Sequence, residues 1–220
     1  MKSKRFITIA ILGFFALMAL LCLHGCGDST DSGPARSLPA SFDVKQRVFF
    51  KWGETFDVSG DGVNYGTVSQ KLISFTKSFN YDDNTGARAA TASVAVLSWG
   101  TQIDVVDGSG KRLGTIKEEL FTSLFKTWTT YRILDANGNQ VATSQKSEFW
   151  STTFDLTAND GHLIATIHRN AWNWMGDNWT VTIKDSTTVD PRIEVMIAAF
   201  KTSADEDQKA KDNKSSGSKK

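Results

Sequence analysis

The chain has 220 residues, with 25 Lys and Arg against 24 Asp and Glu. Residues 1–25 contain three of the basic residues and no acidic one, which leaves 22 basic against 24 acidic side chains in the rest of the chain. This balance argues against a nucleic-acid partner, because binding phosphates requires an excess of Lys and Arg on one face. The length after residue 25 suits one domain.

Residues 1–25 have the layout of a secretory signal. A basic start, Met1 to Arg5, precedes an uncharged apolar run from Phe6 to Leu23. The run ends at Leu23-His24-Gly25-Cys26, which resembles the bacterial lipobox, with a Leu three positions and a small residue one position before the cysteine. We therefore predict a lipoprotein signal peptide over residues 1–25, with acyl chains on Cys26 that attach the protein to the membrane.

An uncleaved transmembrane anchor is the alternative, because eighteen apolar residues approach the ~17–25 that span a bilayer. The residues after the cysteine, Gly27 to Pro34, are small and polar and include no Lys or Arg, which favours the lipoprotein. Gly27, rather than Asp, follows Cys26, so the expected location is a bacterial cell membrane, and the outer membrane in a Gram-negative cell. With Cys26 acylated, the mature chain has no free cysteine for disulfides or metal binding.

The segment from Ser41 to Lys201 contains an internal repeat. A small residue followed by Thr occurs five times after a turn rich in Gly, Asn and Asp, at intervals of 24, 24, 28 and 23 residues. Apolar and polar residues alternate on both sides of each turn, the pattern of a β-hairpin. The five dipeptides are Gly66-Thr67, Ala90-Thr91, Gly114-Thr115, Ala142-Thr143 and Ala165-Thr166.

Two strands per repeat give about twelve strands in a mostly β domain over residues 41–201. A closed twelve-stranded up-and-down β-barrel is the predicted fold, because closure removes the exposed edge strands. A β-propeller is excluded, since its blades need ~40–45 residues each. Residues 26–40 are predicted to be a flexible linker, and residues 202–220 a disordered tail, because their polar composition has no apolar periodicity.

One helix is predicted over residues 190–201. Asp190-Pro191 is a typical helix start, with Asp at the cap and Pro at the first helical position. After Glu194 the segment to Phe200 is apolar on every side, so the helix must be buried all round. Its rise of ~18 Å matches barrel strands of ~20–26 Å. We therefore predict that the helix runs through the barrel lumen.

An apolar-Ser-aromatic-Gly turn between hairpin units and the closing apolar helix after Asp190-Pro191-Arg192 resemble the LURP-one-related family. Its superfamily also contains the tubby C-terminal domain and the phospholipid scramblases. The resemblance covers about Phe42 to Phe200 and implies a twelve-stranded barrel around a C-terminal helix, with membrane or lipid association in several members. The segments that carry it are Phe50 to Phe56, Leu97 to Val105 and Trp172 to Trp179.

Candidate binding residues are few. Tubby-like domains hold lipid headgroups with clustered basic residues. The resemblance therefore points to the one adjacent basic pair in the barrel sequence, Lys111 and Arg112, which lies beside a turn. An ordinary solvated hairpin is the favoured interpretation of this pair. Trp172, Trp174 and Trp179 are the least regular of the seven tryptophans and could form an exposed aromatic rim, although packing is favoured for the set as a whole.

The sequence gives little support for catalysis, and no cofactor or metal is expected. The segment Asp57 to Gly62 resembles the start of a calcium loop but places Val68 where a bidentate Glu is needed. His162 and His168 are too sparse for a metal cluster. Glu118 and Glu119 should point to opposite faces of a strand, so they are not a carboxylate pair.

The leading hypothesis is a non-enzymatic, lipid-anchored envelope lipoprotein whose barrel is a binding or scaffolding module at the membrane surface, with an envelope protein or lipid as partner. A carrier of apolar ligands that uses the lumen is the alternative, and a large internal cavity would favour it. An enzyme of envelope lipid metabolism is a third, and it would require a deep pocket that joins His162 or His168 to a carboxylate.

Overall fold

The computed structural model describes residues 36–47, 53–73, 76–97, 100–123, 126–145, 147–148, 152–170 and 177–217. They form one antiparallel sheet of thirteen segments followed by one helix, α1 (Pro191–Gly217). The strands are β1 (Ser41–Arg47), β2 (Thr55–Gly60), β3 (Val63–Ile73), β4 (Thr76–Asp83), β5 (Arg88–Leu97), β6 (Gly100–Asp107), β7 (Arg112–Ser123), β8 (Lys126–Leu134), β9 (Gln140–Ser144), β10 (Ser147–Glu148), β11 (Thr153–Ala158), β12 (Leu163–Arg169) and β13 (Asn178–Ile183).

The sheet closes on itself. Consecutive strands pair from β1 to β9, then β9 pairs with β11, and β13 pairs with β1. The two-residue β10 pairs with β8 next to the stretch where β9 pairs with it, so β9 and β10 are successive parts of one barrel position. The predicted closed, twelve-stranded up-and-down barrel is therefore confirmed.

The up-and-down order gives the barrel two ends of different character. We call one the turn end: it carries the hairpin turns at residues 61–62, 84–87, 108–111, 135–139 and 159–162, and α1 begins there. The other, the far end, is where β1, β3, β5, β7 and β12 finish. Since α1 starts at the turn end and is buried from Ile193 to Ser203, it crosses the lumen toward the far end.

Three of the hairpin turns are stabilised in the same way. The first residue is an Asp whose carboxylate accepts hydrogen bonds from the backbone N–H groups two and four residues later, and a Gly with positive φ completes the turn. Hydrogen bonds lower the pKa of Asp107 and of Asp135. The largest effect comes from the Ser109 hydroxyl at Asp107 and from the Asn139 backbone N–H at Asp135. The three residues are Asp83, Asp107 and Asp135.

The repeated dipeptides have a structural explanation. Their first residues are small and buried inside the barrel. A Cβ added at Gly114 would lie 2.5 Å from the carbonyl oxygen of Leu134 on β8 and 2.9 Å from Cδ1 of Ile193 on α1. The Thr of three units donates a hydrogen bond to a polar side chain at the facing position of the neighbouring strand, at 2.7 to 3.2 Å. These pairs are Thr91 with Asn80, Thr115 with Asp104 and Thr166 with Asp155.

The first half of α1 supplies the centre of the core. Every residue from Ile193 to Phe200 is buried, as predicted from the all-round apolar pattern. The predicted helix end at residue 201 is wrong, because α1 continues to Gly217. Lys201, Thr202, Ser203 and Asp205 are buried although they are polar. The prediction of a disordered tail over residues 202–220 is therefore wrong for residues 202–217, which belong to α1. The far half of the lumen supplies polar partners for the buried side chains of this segment.

Among the residues described above, no helix is both long enough and apolar enough to cross a bilayer.

Candidate functional site

A cleft of about 530 Å³ lies at the turn end, between the segment that enters the barrel and the start of α1. Arg36 and Leu38 form one side of it, and Asp190 and Arg192 lie at the helix start, with Tyr81 from β4 between them. Its charged groups are two guanidinium and two carboxylate groups, from Arg36, Arg192, Asp83 and Asp190. The cleft is therefore close to neutral, and each arginine in it already has protein partners.

The entering segment is held by the barrel. The backbone N–H of Arg36 donates to Oδ1 of Asn84 at 2.9 Å, and its Nη1 donates to the carbonyl oxygen of Asn64 at 3.2 Å. Leu38 packs against the core, and the carbonyl of Ala40 accepts a hydrogen bond from the N–H of Ile183 at 2.7 Å. Residues 36–40, the last third of the predicted flexible linker, are thus part of the turn end.

Arg192 fixes the start of α1. Its Nε and Nη2 donate to the two carboxylate oxygens of Asp190 at 2.9 and 2.7 Å, and its Nη1 reaches the carbonyl oxygen of Ala89 at 3.0 Å. Burial alone would raise the pKa of Asp190, but the hydrogen bonds from Arg192 hold it below its ordinary value. The predicted cap at Asp190 is confirmed by its hydrogen bond from the N–H of Arg192.

Glu194, in the first turn of α1, is buried completely. Both of its carboxyl oxygens lack a hydrogen-bond partner. Burial first, and the charges of Asp190 and Asp185 second, raise the pKa of Glu194 to about 9. The side chain is therefore a neutral acid at neutral pH, placed between the cap and the apolar part of the helix.

The far half of the lumen contains a buried ionic network. Lys201 Nζ donates to Asp205 Oδ1 at 2.8 Å, and Asp205 also binds Arg169, which reaches Asp177 at 2.8 Å. The Arg169 guanidinium lies 4.6 Å from the ring centroid of Trp179. Burial lowers the pKa of Lys201, although Asp205 opposes the shift.

A second polar group extends this network along the wall. Tyr131 and Thr129 hydroxyls donate to Oε1 of the buried Glu118, at 3.1 and 3.4 Å. Burial raises the pKa of Glu118 and, more strongly, that of Tyr131. Glu119, the next residue, points outward and binds Arg132. The prediction that Glu118 and Glu119 face opposite sides of the strand is confirmed.

The sequence contains a pattern that predicts polar side chains in the far half of the lumen. Gln46 follows Phe42 and Val44, Gln70 follows Val68, and Arg169 follows Ile167 at the two-residue period of inward positions. A polar residue that continues an inward-facing apolar series near the end of a strand predicts a polar lumen at that end. Several strands carry this pattern at the far end, which is where α1 becomes polar.

The expected exposed aromatic rim is wrong at Trp179. Its side chain is fully buried, donates its indole N–H to Thr202 Oγ1 at 2.9 Å, and packs edge-on against Phe154. Trp179 is buried because it occupies an inward position of β13, directly against α1. Trp172 and Trp174 lie outside the described residues, as does Cys26.

The basic pair lies in an ordinary hairpin at the turn end. The backbone N–H of Lys111 donates to Asp107, and Arg112 is paired with Asp104 at 3.5 Å and with the Thr115 hydroxyl at 2.5 Å. The side chain of Arg112 is thus already engaged along the strand. Trp179 lies in the far half of the barrel, so the structure does not bring these candidates together.

The remaining candidates have local structural partners. His162 contacts Asp160 at 2.6 Å and Asp185 at 3.1 Å. These hydrogen bonds raise the pKa of His162, and the bond with Asp185 has the larger effect. The His162 side chain is 46% exposed, so this contact is on the surface and not in the deep pocket that an enzyme would require. His168 Nδ1 contacts the Thr153 hydroxyl. Asp57 binds Arg47 across β1 and β2.

The position of α1 inside the barrel favours a binding or scaffolding function over a carrier that holds a ligand in the lumen. α1 occupies the lumen with apolar side chains in its first half and ion-paired side chains in its second half. This occupancy argues against the carrier alternative, which needs an open internal cavity. In the described part of the chain, no group of three or more His, Cys, Asp or Glu side chains is arranged to hold a metal ion.

Comparison with known proteins supports the same architecture. Residues 66–161 match the family model described as LURP-one-related, which belongs to the tubby-like superfamily and is generally non-enzymatic. The resemblance inferred from the sequence is confirmed over this range. Neither a curated protein nor a solved structure matches the chain at a significant level.

Proposed function

We propose that this chain, in which residues 66–161 match the LURP-one-related family model, is a lipid-anchored lipoprotein of the bacterial cell envelope. Its barrel acts as a non-enzymatic binding or scaffolding module at the membrane surface. The observation that carries the second part is the filled lumen, since a barrel occupied by its own helix presents only its outer surface and its ends to partners. The anchor is supported by the lipobox-like sequence that ends at Cys26.

The docked entry segment gives the proposal an orientation. Arg36, which is held at the turn end, comes only ten positions after Cys26. Ten residues span at most ~35 Å even when fully extended. The turn end therefore stays within that distance of the acylated cysteine, and we infer that it lies, on average, nearer to the membrane than the far end.

The charge of the turn end supports attachment through acyl chains over attachment through a basic surface. The hairpin turns contribute Asp83, Asp107, Asp135 and Asp160, and hydrogen bonding keeps the pKa of each below its ordinary value. These carboxylates remain ionised at and well below neutral pH. Acidic residues outnumber basic ones in these turns even with Lys111 and Arg112 counted. Such a surface is not attracted to anionic lipid headgroups, so in this proposal attachment depends on the acyl chains.

Replacing Cys26 by Ala is expected to abolish acylation and to release the protein from the membrane fraction. Mass spectrometry of the mature N-terminus and membrane fractionation measure the two effects. Cys22→Ala is the matched control and should leave both unchanged, because Leu21 before Cys22 is too large for the signal peptidase. Membrane retention of Cys26→Ala, with no acylated N-terminus in the parent, would instead support an uncleaved transmembrane anchor.

The orientation has a separate test. In the Cys22→Ala background, a fluorophore is attached to a new cysteine at Lys111 on the turn end or at Val96, which is 82% exposed near the far end. With the lipidated protein in vesicles that contain a quenching lipid, we expect the label at residue 111 to be quenched more strongly than the label at residue 96. Equal quenching, or stronger quenching at residue 96, would contradict the orientation.

A further inference from the structure

The second half of α1 is held in the barrel by polar contacts on one side of the lumen. Gln70 Nε2 and Lys77 Nζ donate to the Ser203 hydroxyl oxygen at 3.2 and 2.9 Å. Lys77 also binds Asp207 at 2.5 Å. Gln46 Nε2 donates to Glu206 Oε1 at 2.8 Å. We call Ser203, Glu206 and Asp207 with these barrel partners the latch.

A second carboxyl group lies in the latch. Glu54, just before β2, forms a hydrogen bond with Glu206, and its Oε2 atom is buried without a partner. Two carboxyl groups can share a hydrogen bond only when one of them carries a proton. Burial, followed by the contact with Glu206, raises the pKa of Glu54 to about 8. The shared proton is therefore present at neutral pH.

The surrounding charges do not offset the repulsion that Glu54 and Glu206 would have if both were ionised. Lys77 is the cation that favours ionisation of Glu54, but it is already bound to Asp207, whose charge acts in the opposite direction. The other charged groups that face this part of the lumen are largely paired with one another. They are Arg169, Asp177, Lys201 and Asp205 in one network, and Glu118 on β7.

We propose that the latch is pH-sensitive: the C-terminal half of α1 stays docked while Glu54 and Glu206 share a proton, and opens when both carboxylates are ionised. The first half of α1, from Ile193 to Phe200, is held by apolar burial and stays in place. The fold thus contains a helix with a permanent half and a releasable half. Opening would expose the polar far half of the lumen at the end that faces away from the turn end.

The direction of the pH effect follows from the carboxyl group. In the open latch Glu54 is in water and titrates near 4.5, whereas in the closed latch it titrates near 8. The closed form therefore binds a proton that the open form releases between these values. Opening becomes more favourable as the pH rises from about 4.5 to about 8, and it changes no further above that.

Amide hydrogen exchange on the intact chain tests the proposal. After correction for intrinsic exchange rates, we expect the protection of residues 201–210 to fall about tenfold or more between pH 5 and pH 8 and then to level off. Protection of residues 193–200 should stay constant over the same range and serves as the internal reference. Protection of residues 201–210 that does not change with pH would overturn the proposal.

Two variants separate the latch from general stability. Glu54→Gln removes the buried carboxyl group whose pKa is raised, so it should make the protection of residues 201–210 independent of pH. Glu206→Gln removes the partner but leaves the burial of Glu54, so it should reduce the pH dependence without abolishing it. Glu119→Gln, which alters an ion pair with Arg132 on the outer wall, is the matched control and should behave as the parent. A parental pH profile in both Glu54→Gln and Glu206→Gln would also overturn the proposal.

Discussion

Replacing Ile197 by Asp is expected to abolish folding of the barrel. Ile197 is fully buried in the middle of the apolar half of α1. The substitution removes an apolar burial of about 1.5–3 kcal/mol and places a carboxyl group where water cannot reach it, at a further cost of several kcal/mol. Together these approach the ~5–15 kcal/mol that stabilises a typical domain. We expect the soluble chain to lose its cooperative thermal transition and its near-UV circular dichroism.

Two further substitutions test the reason for this loss. Val96→Asp introduces the same charge at a side chain that is 82% exposed, so its melting temperature should stay within a few degrees of the parent. Ile197→Val removes one buried methylene and should cost only about 0.5–1.5 kcal/mol. If Ile197→Asp melted cooperatively close to the parent, the helix in the lumen would not be the centre of the core.

The sequence was sufficient to predict the parts of the fold that repeat. The small residues Gly66, Ala90, Gly114, Ala142 and Ala165 mark the hairpin units, and all five are buried inside the barrel. A side chain would collide with the neighbouring strand at Gly66, and with the neighbouring strand and α1 at Gly114. The helix itself was predictable, since an apolar run on all sides has no stable place outside a core. Both signals are local, and a closed barrel of hairpins is built mainly from contacts between neighbouring strands in the chain.

The polar half of the lumen could not be obtained in this way. Lys201 and Asp205 belong to a segment whose composition is that of a solvated tail, and their burial depends on Arg169, which is 36 residues from Asp205 in the chain. The burial of Trp179 likewise depends on Thr202 lying opposite it. Long-range pairs of this kind appear only when the barrel has closed around the helix.

The environment of Glu194 likewise depends on the closed barrel and not on its neighbours in the sequence. In the sequence it stands in the first turn of a helix, where an acidic side chain normally has a favourable interaction with the helix dipole. In the structure this position faces into the closed barrel, with no partner for either oxygen. The cost of removing the carboxylate from water exceeds the benefit of the dipole, so the acid is held in its neutral form.

Replacing Glu194 by Gln is therefore expected to stabilise the protein, and increasingly so at higher pH. The folded pKa of about 9 lies above the ordinary value near 4.5, so the free energy of unfolding falls as the pH rises between these two values. The cost is absent below pH 4.5 and reaches about 3 kcal/mol at pH 7, at 1.36 kcal/mol per pKa unit. Gln keeps the size and the neutral form, so it avoids this cost at every pH.

Urea unfolding at pH 5, 7 and 9 would measure the difference between Glu194→Gln and the parent. We expect a small difference at pH 5, about 3 kcal/mol at pH 7 and a larger one at pH 9. Glu119→Gln, at an outward-facing ion pair, should show no such trend and controls for the loss of a negative charge. If the difference in the free energy of unfolding stayed constant between pH 5 and pH 9, the pKa of Glu194 would not be raised on folding, and this explanation would be wrong.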